Sequence, residues 1–283
     1  MIDRLIENIQ NEINLTMEET EQLFDKIFKG EINTDSLVDL LDALDKKGET
    51  PEELTGATTS MRKNAKLIDV NHDQIVDCCG TGGLGKKIIN ISTSVSFVLA
   101  AAGLKVAKHG NRTATGKSGS ADFLEAAGIN LKKSSENFSY SLDKIGLGFL
   151  FAQNHHPGMK YVMDARKILG KKTIFNLLGP LSNPAGANIQ SIGVFHNKWI
   201  KPVAEALRNL NCKAAAIFHS DDGLDEISFT STTQMIELFQ NKLTNHEIDP
   251  KDFNIKSKNI SDLEIESPQE SVNKVIDTFE NKF

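Results

Sequence analysis

What the 283-residue sequence lacks narrows the field first. Its longest apolar run, Phe97–Ala102, falls far short of the roughly 20 residues that span a bilayer. Its three cysteines, Cys78, Cys79 and Cys212, have neither CxxC nor CxxxxH spacing, so neither a disulfide framework nor a thiolate metal site is expected. The opening Met1-Ile2-Asp3-Arg4 places acid in the first turn, and no apolar signal-peptide core follows; a cytoplasmic, reduced protein is expected. Basic charge is not in excess either. Lys and Arg number 32 against 38 Asp and Glu, a net −6, which argues against a general polyanion binder and requires any anionic ligand to find a local basic site. What is present, 39% apolar and 25% charged residues, suits a soluble globular chain with a sizeable core, in one large domain or two smaller ones.

The texture of the chain divides in two. Residues 1 to about 65 read as helices alone. Thr16-Met17-Glu18-Glu19 is a capping box opening a helix with Leu23, Ile27 and Phe28 on its apolar face, ended by Gly30. Leu37, Leu40, Leu41 and Leu44 form one apolar stripe. Thr50-Pro51-Glu52-Glu53 is a second capping box, with proline at the first helical position. From about Gln74 short strands alternate with helices. Gln74–Asp77, Lys105–Lys108, Ser191–Phe195 and Ala214–His219 read as strands; Thr93–Ala102, Ser120–Ala127, Pro157–Leu169 and Trp199–Leu210 read as helices. That alternation predicts an α/β fold with a mainly parallel sheet. The Lys-, Asn-, Asp- and Ser-rich tail from Asn241 is weakly specified until a helical pattern at Val272–Phe283.

Gly80-Thr81-Gly82-Gly83-Leu84-Gly85 follows a predicted strand and precedes a helix. Backbone without Cβ approaches a phosphate closely, and successive N–H groups form an anion nest. Two familiar phosphate loops are near misses. A dinucleotide fingerprint needs an acid about 20 residues on, where Lys105-Val106-Ala107-Lys108 stands. A Walker A loop needs a hydroxyl for Mg²⁺ where Lys87 stands. Asn90-Ile91-Ser92-Thr93 opens the next helix with hydroxyls and N–H groups, Lys108-His109-Gly110-Asn111-Arg112 leaves the second strand, and Lys117-Ser118-Gly119-Ser120 opens another helix. Three such loops at neighbouring strand ends point to a polyphosphate-bearing ligand.

Taken together, DCCGTGG, NIST, KHGNR, KSGSAD, KTIFN, LGPLSNP and DGLDEIS, in unbroken order from Asp77 to Ser228, resemble the anthranilate phosphoribosyltransferase family. The resemblance implies a small N-terminal all-helical domain over residues 1–68, joined by a helix around 157–176. A larger α/β domain over 69–283 follows, and a homodimer packs through the helical part. It implies transfer of the phosphoribosyl group of phosphoribosyl pyrophosphate (PRPP) to the amine of anthranilate, with Mg²⁺, in tryptophan biosynthesis. Further helices are expected beyond the point matching Phe283. Loss of pyrophosphate leaves positive charge on the ribose C1, so such an enzyme needs held substrates and a stabilised leaving group, and no covalent nucleophile.

By the same resemblance, Gly80, Gly82, Gly83, Leu84, Ile88, Asn90, Ile91, Ser92 and Thr93 border PRPP, with Lys108, His109, Gly110, Asn111, Arg112, Gly116 and Ser120 on its other side. Gly80, Asn111, His156 and Arg166 receive anthranilate, the arginine as a fork for its carboxylate. Ser92, Asp225 and Glu226 are the metal ligands, an oxygen set that suits Mg²⁺. Leu177, Leu178 and Pro180 read as hinge and wall. The chain departs from the family pattern at Leu84, where Asp is usual, and Ile88, where Thr is usual. Smaller departures are Gln153 and Asp164, each for Pro, and Gly116 for Ser. Two alternatives stand beside this reading. A pyrimidine-nucleoside phosphorylase would share the fold and glycine loop, but KHGNR and NIST oppose it. A non-catalytic, nucleic-acid-binding relative is opposed by the acidic balance, Asp225-Glu226 and Arg166.

Overall fold

The computed structural model describes residues 2–82, 87–113, 116–255 and 259–282. It begins with four helices, α1 (Ile2–Gln10), α2 (Met17–Phe28), α3 (Thr34–Lys47) and α4 (Pro51–Lys63). Both capping boxes form: the Thr16 and Thr50 hydroxyls accept the Glu19 and Glu53 N–H groups, and each glutamate returns to its threonine N–H. The leucine stripe of α3 is buried throughout. Each such side chain contributes about 1.5–3 kcal/mol on leaving water. Glu53 is fully buried, yet its carboxylate is satisfied by the Leu15 N–H at 3.0 Å, the Thr50 N–H at 2.9 Å and Lys47 Nζ at 2.8 Å.

The α/β part continues with β1 (Val76–Gly80), α5 (Ile91–Ala101), β2 (Val106–Gly110), α6 (Ser120–Ala126), α7 (Leu131–Glu136), α8 (Phe138–Ile145) and β3 (Leu147–Phe151). Next come α9 (Ala152–His155), α10 (Met163–Leu169), α11 (Ile174–Leu181), β4 (Ile189–Gly193), α12 (Ile200–Asn209) and β5 (Ala214–Ser220). The antiparallel pair β6 (Thr233–Phe239) and β7 (Lys242–Ile248), then α13 (Pro268–Phe279), complete it. The seven-stranded sheet has the order β3-β2-β1-β4-β5-β6-β7, parallel from β3 to β5. The chain moves outward from β1 to β3, then starts again on the other side of β1. The switch point between β1 and β4 is where an open α/β sheet opens a crevice at its carboxyl edge. No helix among the described residues is long and apolar enough to cross a membrane.

Three expectations change. The helix over Pro157–Leu169, and with it the single joining helix around 157–176, is instead a 3-10 turn over Pro157–Tyr161, then α10, then α11. Fully buried Val162, at φ −106° and ψ −10°, marks the first break. These pieces still join the helical part: α10 packs on α3, α11 on α3 and α4, and Lys171 Nζ reaches Asp42 at 2.7 Å and Asp45 at 2.6 Å. One apolar core runs from Leu23 and Phe24 through Phe175 and Leu178 to Val203 and Ile217. Secondly, the weakly specified tail from Asn241 opens with strand β7, while the helical pattern expected over Val272–Phe283 is present as α13, which starts earlier at Pro268. Thirdly, β3 and β6 add strands that sequence periodicity did not single out.

Candidate active site

The carboxyl ends of β1, β2, β4 and β5 gather most of the expected site residues. Gly80 ends β1 beside Gly193, which ends β4. The loop after β5 crosses this edge so closely that a Cβ on Gly193 would meet the Asp225 carbonyl oxygen at 1.7 Å, and one on Gly80 would meet Asp225 Oδ2 at 2.6 Å. Only a pair of glycines admits the loop. Asp225 then accepts the Gly82 N–H at 3.0 Å, so the glycine loop clasps a carboxylate with the same kind of N–H group that sequence reasoning reserved for a phosphate.

Glu226 lies beside it and accepts the Ser92 N–H. Burial pushes Glu226 up to about 8, and the Asp225 carboxylate adds to the rise, while Lys108 and the Ser92 N–H oppose it. Burial raises Asp225 too, against the Gly82 N–H. Two adjacent desolvated carboxylates therefore lack cationic charge. Lys172 acts on Asp225, and Lys108, 2% exposed, serves the Glu226 side; its Nζ donates to the Cys78 carbonyl at 2.7 Å and its charge acts on Asp77 and Glu226. The loop bearing the two acids is held from behind by hydroxyls. Ser220 Oγ donates to the Glu226 carbonyl at 2.5 Å and accepts the Ser228 N–H, and Ser228 Oγ donates to Asp222 at 2.6 Å.

The entry to α5 differs from the expected anion-facing cap. The helix begins at Ile91, and Asn90 makes no side-chain cap bond. Three early N–H groups already have partners: Asn90 donates to Ser271 Oγ, Ile91 to the Ile89 carbonyl and Ser92 to Glu226. Thr93 is buried, and its carbonyl accepts the Ser96 hydroxyl. Ile88 pairs through its backbone with Glu264 in an isolated antiparallel bridge. Gly83 and Leu84 lie outside the described residues.

On the β2 side, Gly110 faces α6 so tightly that a Cβ would lie 2.0 Å from Ser120 Oγ. Ser120 Oγ donates to the Asn111 carbonyl at 3.3 Å. Asn111 Oδ1 accepts the Arg112 N–H at 2.8 Å and Gln153 Nε2 at 3.4 Å. The Arg112 guanidinium is engaged with Glu125 at 2.9 Å and Asp122 at 3.1 Å, over the Phe151 ring; a phosphate would compete with both acids for it. Gly116 donates its N–H to Thr113 Oγ1 at 2.7 Å and is exposed.

The acceptor residues connect through α11. The rings of His109 and His156 lie 5.1 Å apart, and a His109 ring N–H donates to the Gly179 carbonyl. Burial, then the neighbouring His156 and His155, hold His109 down to about 3; burial first holds His156 down to about 4. Both imidazoles are neutral near pH 7, and His109 Nε2 has no hydrogen-bond partner among the described residues. Arg166, half-buried on α10, lies over the Phe175 ring and, among the described residues, reaches only Asn176 Oδ1, at 3.5 Å, an oxygen already taken by the Thr173 N–H at 3.0 Å. Its fork is therefore poorly satisfied. Asp164 is exposed on the same helix, two residues before it, a spacing that puts the pair on different faces.

Two residues outside the expected set hold this edge together. Asp77 is fully buried and accepts the His109 N–H at 3.2 Å and Asn183 Nδ2 at 2.8 Å; Asn183 also donates to the Ala107 carbonyl at 2.7 Å. The segment Asn176–Asn183 is thus tied to β1 and β2 by a polar clamp, and its apolar Leu177, Leu178 and Pro180 are buried. The signal lay within motifs already singled out, in the acid of DCCGTGG and the amide of LGPLSNP, but nothing local pairs them.

Comparison with known proteins places this geometry. The description "Glycosyl transferase family, helical bundle domain" matches residues 2–65, and "Glycosyl transferase family, a/b domain" matches residues 72–283. The chain is 44% identical over 275 residues to the anthranilate phosphoribosyltransferase of Pseudomonas aeruginosa (strain LESB58), covering 96% of this chain and 78% of the relative. It superposes on the anthranilate phosphoribosyltransferase of Thermus thermophilus with a TM-score of 0.90 at 34% identity, covering 98% of this chain and 83% of that one. The Saccharomyces cerevisiae enzyme in complex with PRPP and Mg gives a TM-score of 0.84 at 26% identity, covering 95% and 78%.

Proposed function

The chain belongs to the anthranilate phosphoribosyltransferases, and from that premise we propose how its residues divide the work of the reaction. The bond from ribose C1 to the pyrophosphate oxygen breaks, the bond from C1 to the anthranilate nitrogen forms, and the amine gives up one proton. The relatives favour neither a nucleoside phosphorylase nor a nucleic-acid-binding protein.

The observation that carries the division is the convergence of Asp225, Glu226 and Lys108 on the crevice beside Gly80 and Gly82. The cofactor is Mg²⁺, and the donor set fits it: two adjacent carboxyl groups, with Ser92 beside Glu226 through its backbone N–H, and phosphate oxygens to complete the shell. When bound, Mg²⁺ neutralises charge gathering on the departing pyrophosphate. Gly80, Gly82, Gly83, Asn90, Ser92 and Thr93 border the phosphates, and Lys108 adds a fixed charge in a dry site, where it acts more strongly than in water. Gly110, Asn111 and Ser120 bound the other side. Arg166 turns its underused fork to the anthranilate carboxylate, while His109, His156 and Asn111 shape the pocket around the ring. The neutral imidazoles line that pocket without repelling the cationic ribose.

A homodimer docked through the helical part belongs to the same proposal; Ile13, Met17, Met163 and Ile168 are exposed on α10 and around the start of α2 and offer apolar surface for it. Sedimentation at micromolar concentration is expected to give twice the chain mass. The reaction itself is tested by following anthranilate fluorescence with PRPP. Decay that requires both PRPP and Mg²⁺ is expected; fluorescence that stays constant with all three present contradicts the assignment.

A further inference from the structure

Beyond the motif loops, the late segment of the chain folds back onto residues 87–89, the stretch that leads into α5. The Ile89 N–H donates to the Leu263 carbonyl at 2.9 Å, the Ile265 N–H to the Lys87 carbonyl at 2.6 Å, and Ile88 bridges Glu264 between them. The chain then enters α13, capped by Ser267, whose Val272 and Val275 are buried against Ala121, Phe123 and Leu124 of α6. This places Ser271, with no exposed surface, directly beside Asn90.

Resting on the phosphoribosyl-transfer reading above, we propose that Ser271 is a positioning residue of the PRPP site, acting through Asn90. Its Oγ accepts the Asn90 N–H at 3.1 Å and lies 2.8 Å from Asn90 Oδ1. A hydroxyl has one proton. With the N–H already donating to Oγ, that proton goes to Oδ1, and the two bonds are complementary. The carboxamide is thereby fixed with Nδ2 toward the Ser118 carbonyl at 3.0 Å. Asn90 ties α13 to the Lys117–Ser120 loop and keeps one Nδ2 hydrogen and one Oδ1 lone pair for a ligand.

The arrangement explains why Asn90 does not cap α5: its side chain is held sideways across the entrance to the helix. Removing the Ser271 hydroxyl leaves the Asn90 N–H and Oδ1 without partners and frees the amide to turn. The α13 backbone has no need of the hydroxyl, because alanine is the better helix former.

The test is a kinetic cycle on the full chain with Mg²⁺. Ser271→Ala is expected to raise the KM for PRPP about two- to tenfold, the loss of one or two net hydrogen bonds, with the KM for anthranilate unchanged and the thermal midpoint lowered by only a few degrees. Ser271→Thr, which keeps the hydroxyl, is expected to restore much of the affinity. In an Asn90→Ala background the Ser271→Ala change is expected to have no further effect on PRPP. An unchanged PRPP KM, equal shifts in both substrate KM values, or a full effect without Asn90 overturns the proposal. Turnover by the unmodified chain is read separately: its absence overturns the reaction, whereas turnover with an indifferent Ser271→Ala overturns only the role of Ser271.

Discussion

At the scale of single residues, the site is made of groups whose charge or hydrogen-bonding capacity is only partly met. Among the described residues Arg166 has one long bond, to a carboxamide oxygen shared with Thr173, and burial lowers its pKa. Arg166→Ala is expected to raise the anthranilate KM about tenfold or more, the scale of a lost charge-assisted pair, with the PRPP KM little changed. Arg166→Lys is expected to recover little, because an ammonium offers no planar fork. Initial rates with each substrate varied in turn check both; a change confined to PRPP contradicts the role. The sequence made the loops legible here, since glycines, hydroxyls and cations cluster in short motifs. It did not show who satisfies whom. Gly82 meets Asp225 across 143 positions, Asn183 meets Asp77 across 106, and Asn90 meets Ser271 across 181. Such pairs carry no local periodicity; only the strand order brings them together.

At the scale of elements, local chemistry decides what can be read. Both capping boxes form as their spacing implies, because their hydrogen bonds close within four residues. α4 packs against α2, α11 and α12, so its first turn matters to the whole helical part. Thr50→Ala removes the acceptor for the Glu53 N–H and is expected to cost about 1–2 kcal/mol, measured by urea unfolding monitored by circular dichroism. A loss near zero would mean that packing alone fixes the helix start. The β6–β7 hairpin was harder to see. β7 has only exposed and half-buried residues on the sheet edge, so its composition resembles that of a loop. Its signal is the turn: Gln240 at φ 48° and Asn241 at φ 63° form a two-residue connection whose twist suits paired strands. β3 was missed for the opposite reason, being a short apolar run that periodicity cannot assign.

For the whole molecule, the helical part and the sheet share one apolar core, and ionisable groups within it respond to pH. Glu49 is 6% exposed, between α3 and α4. Burial raises its pKa from 4.5 to about 7, Asp45 and Glu53 add to the rise, and Lys198 opposes it. A group raised in the folded state gives stability that is complete below its unfolded value and lost as pH climbs through the folded one. Stability is therefore expected to fall by about 3 kcal/mol between pH 4.5 and pH 7 on account of this residue. Glu49→Gln is expected to remove that slope. Unfolding midpoints collected across the window check it, and a variant with the same pH profile contradicts it.

The crevice between β1 and β4 is the place where fold and chemistry meet, and its two acids are the point on which the account turns. Titration calorimetry of PRPP into the unmodified chain and into a chain carrying both Asp225→Asn and Glu226→Gln tests it most directly. The substitutions replace two desolvated carboxyl groups with amides of nearly the same shape, so the variant is expected to stay folded. PRPP binding strengthened by Mg²⁺ in the unmodified chain, and indifferent to Mg²⁺ in the variant, is the expected result. The same magnesium dependence in both chains would contradict the account.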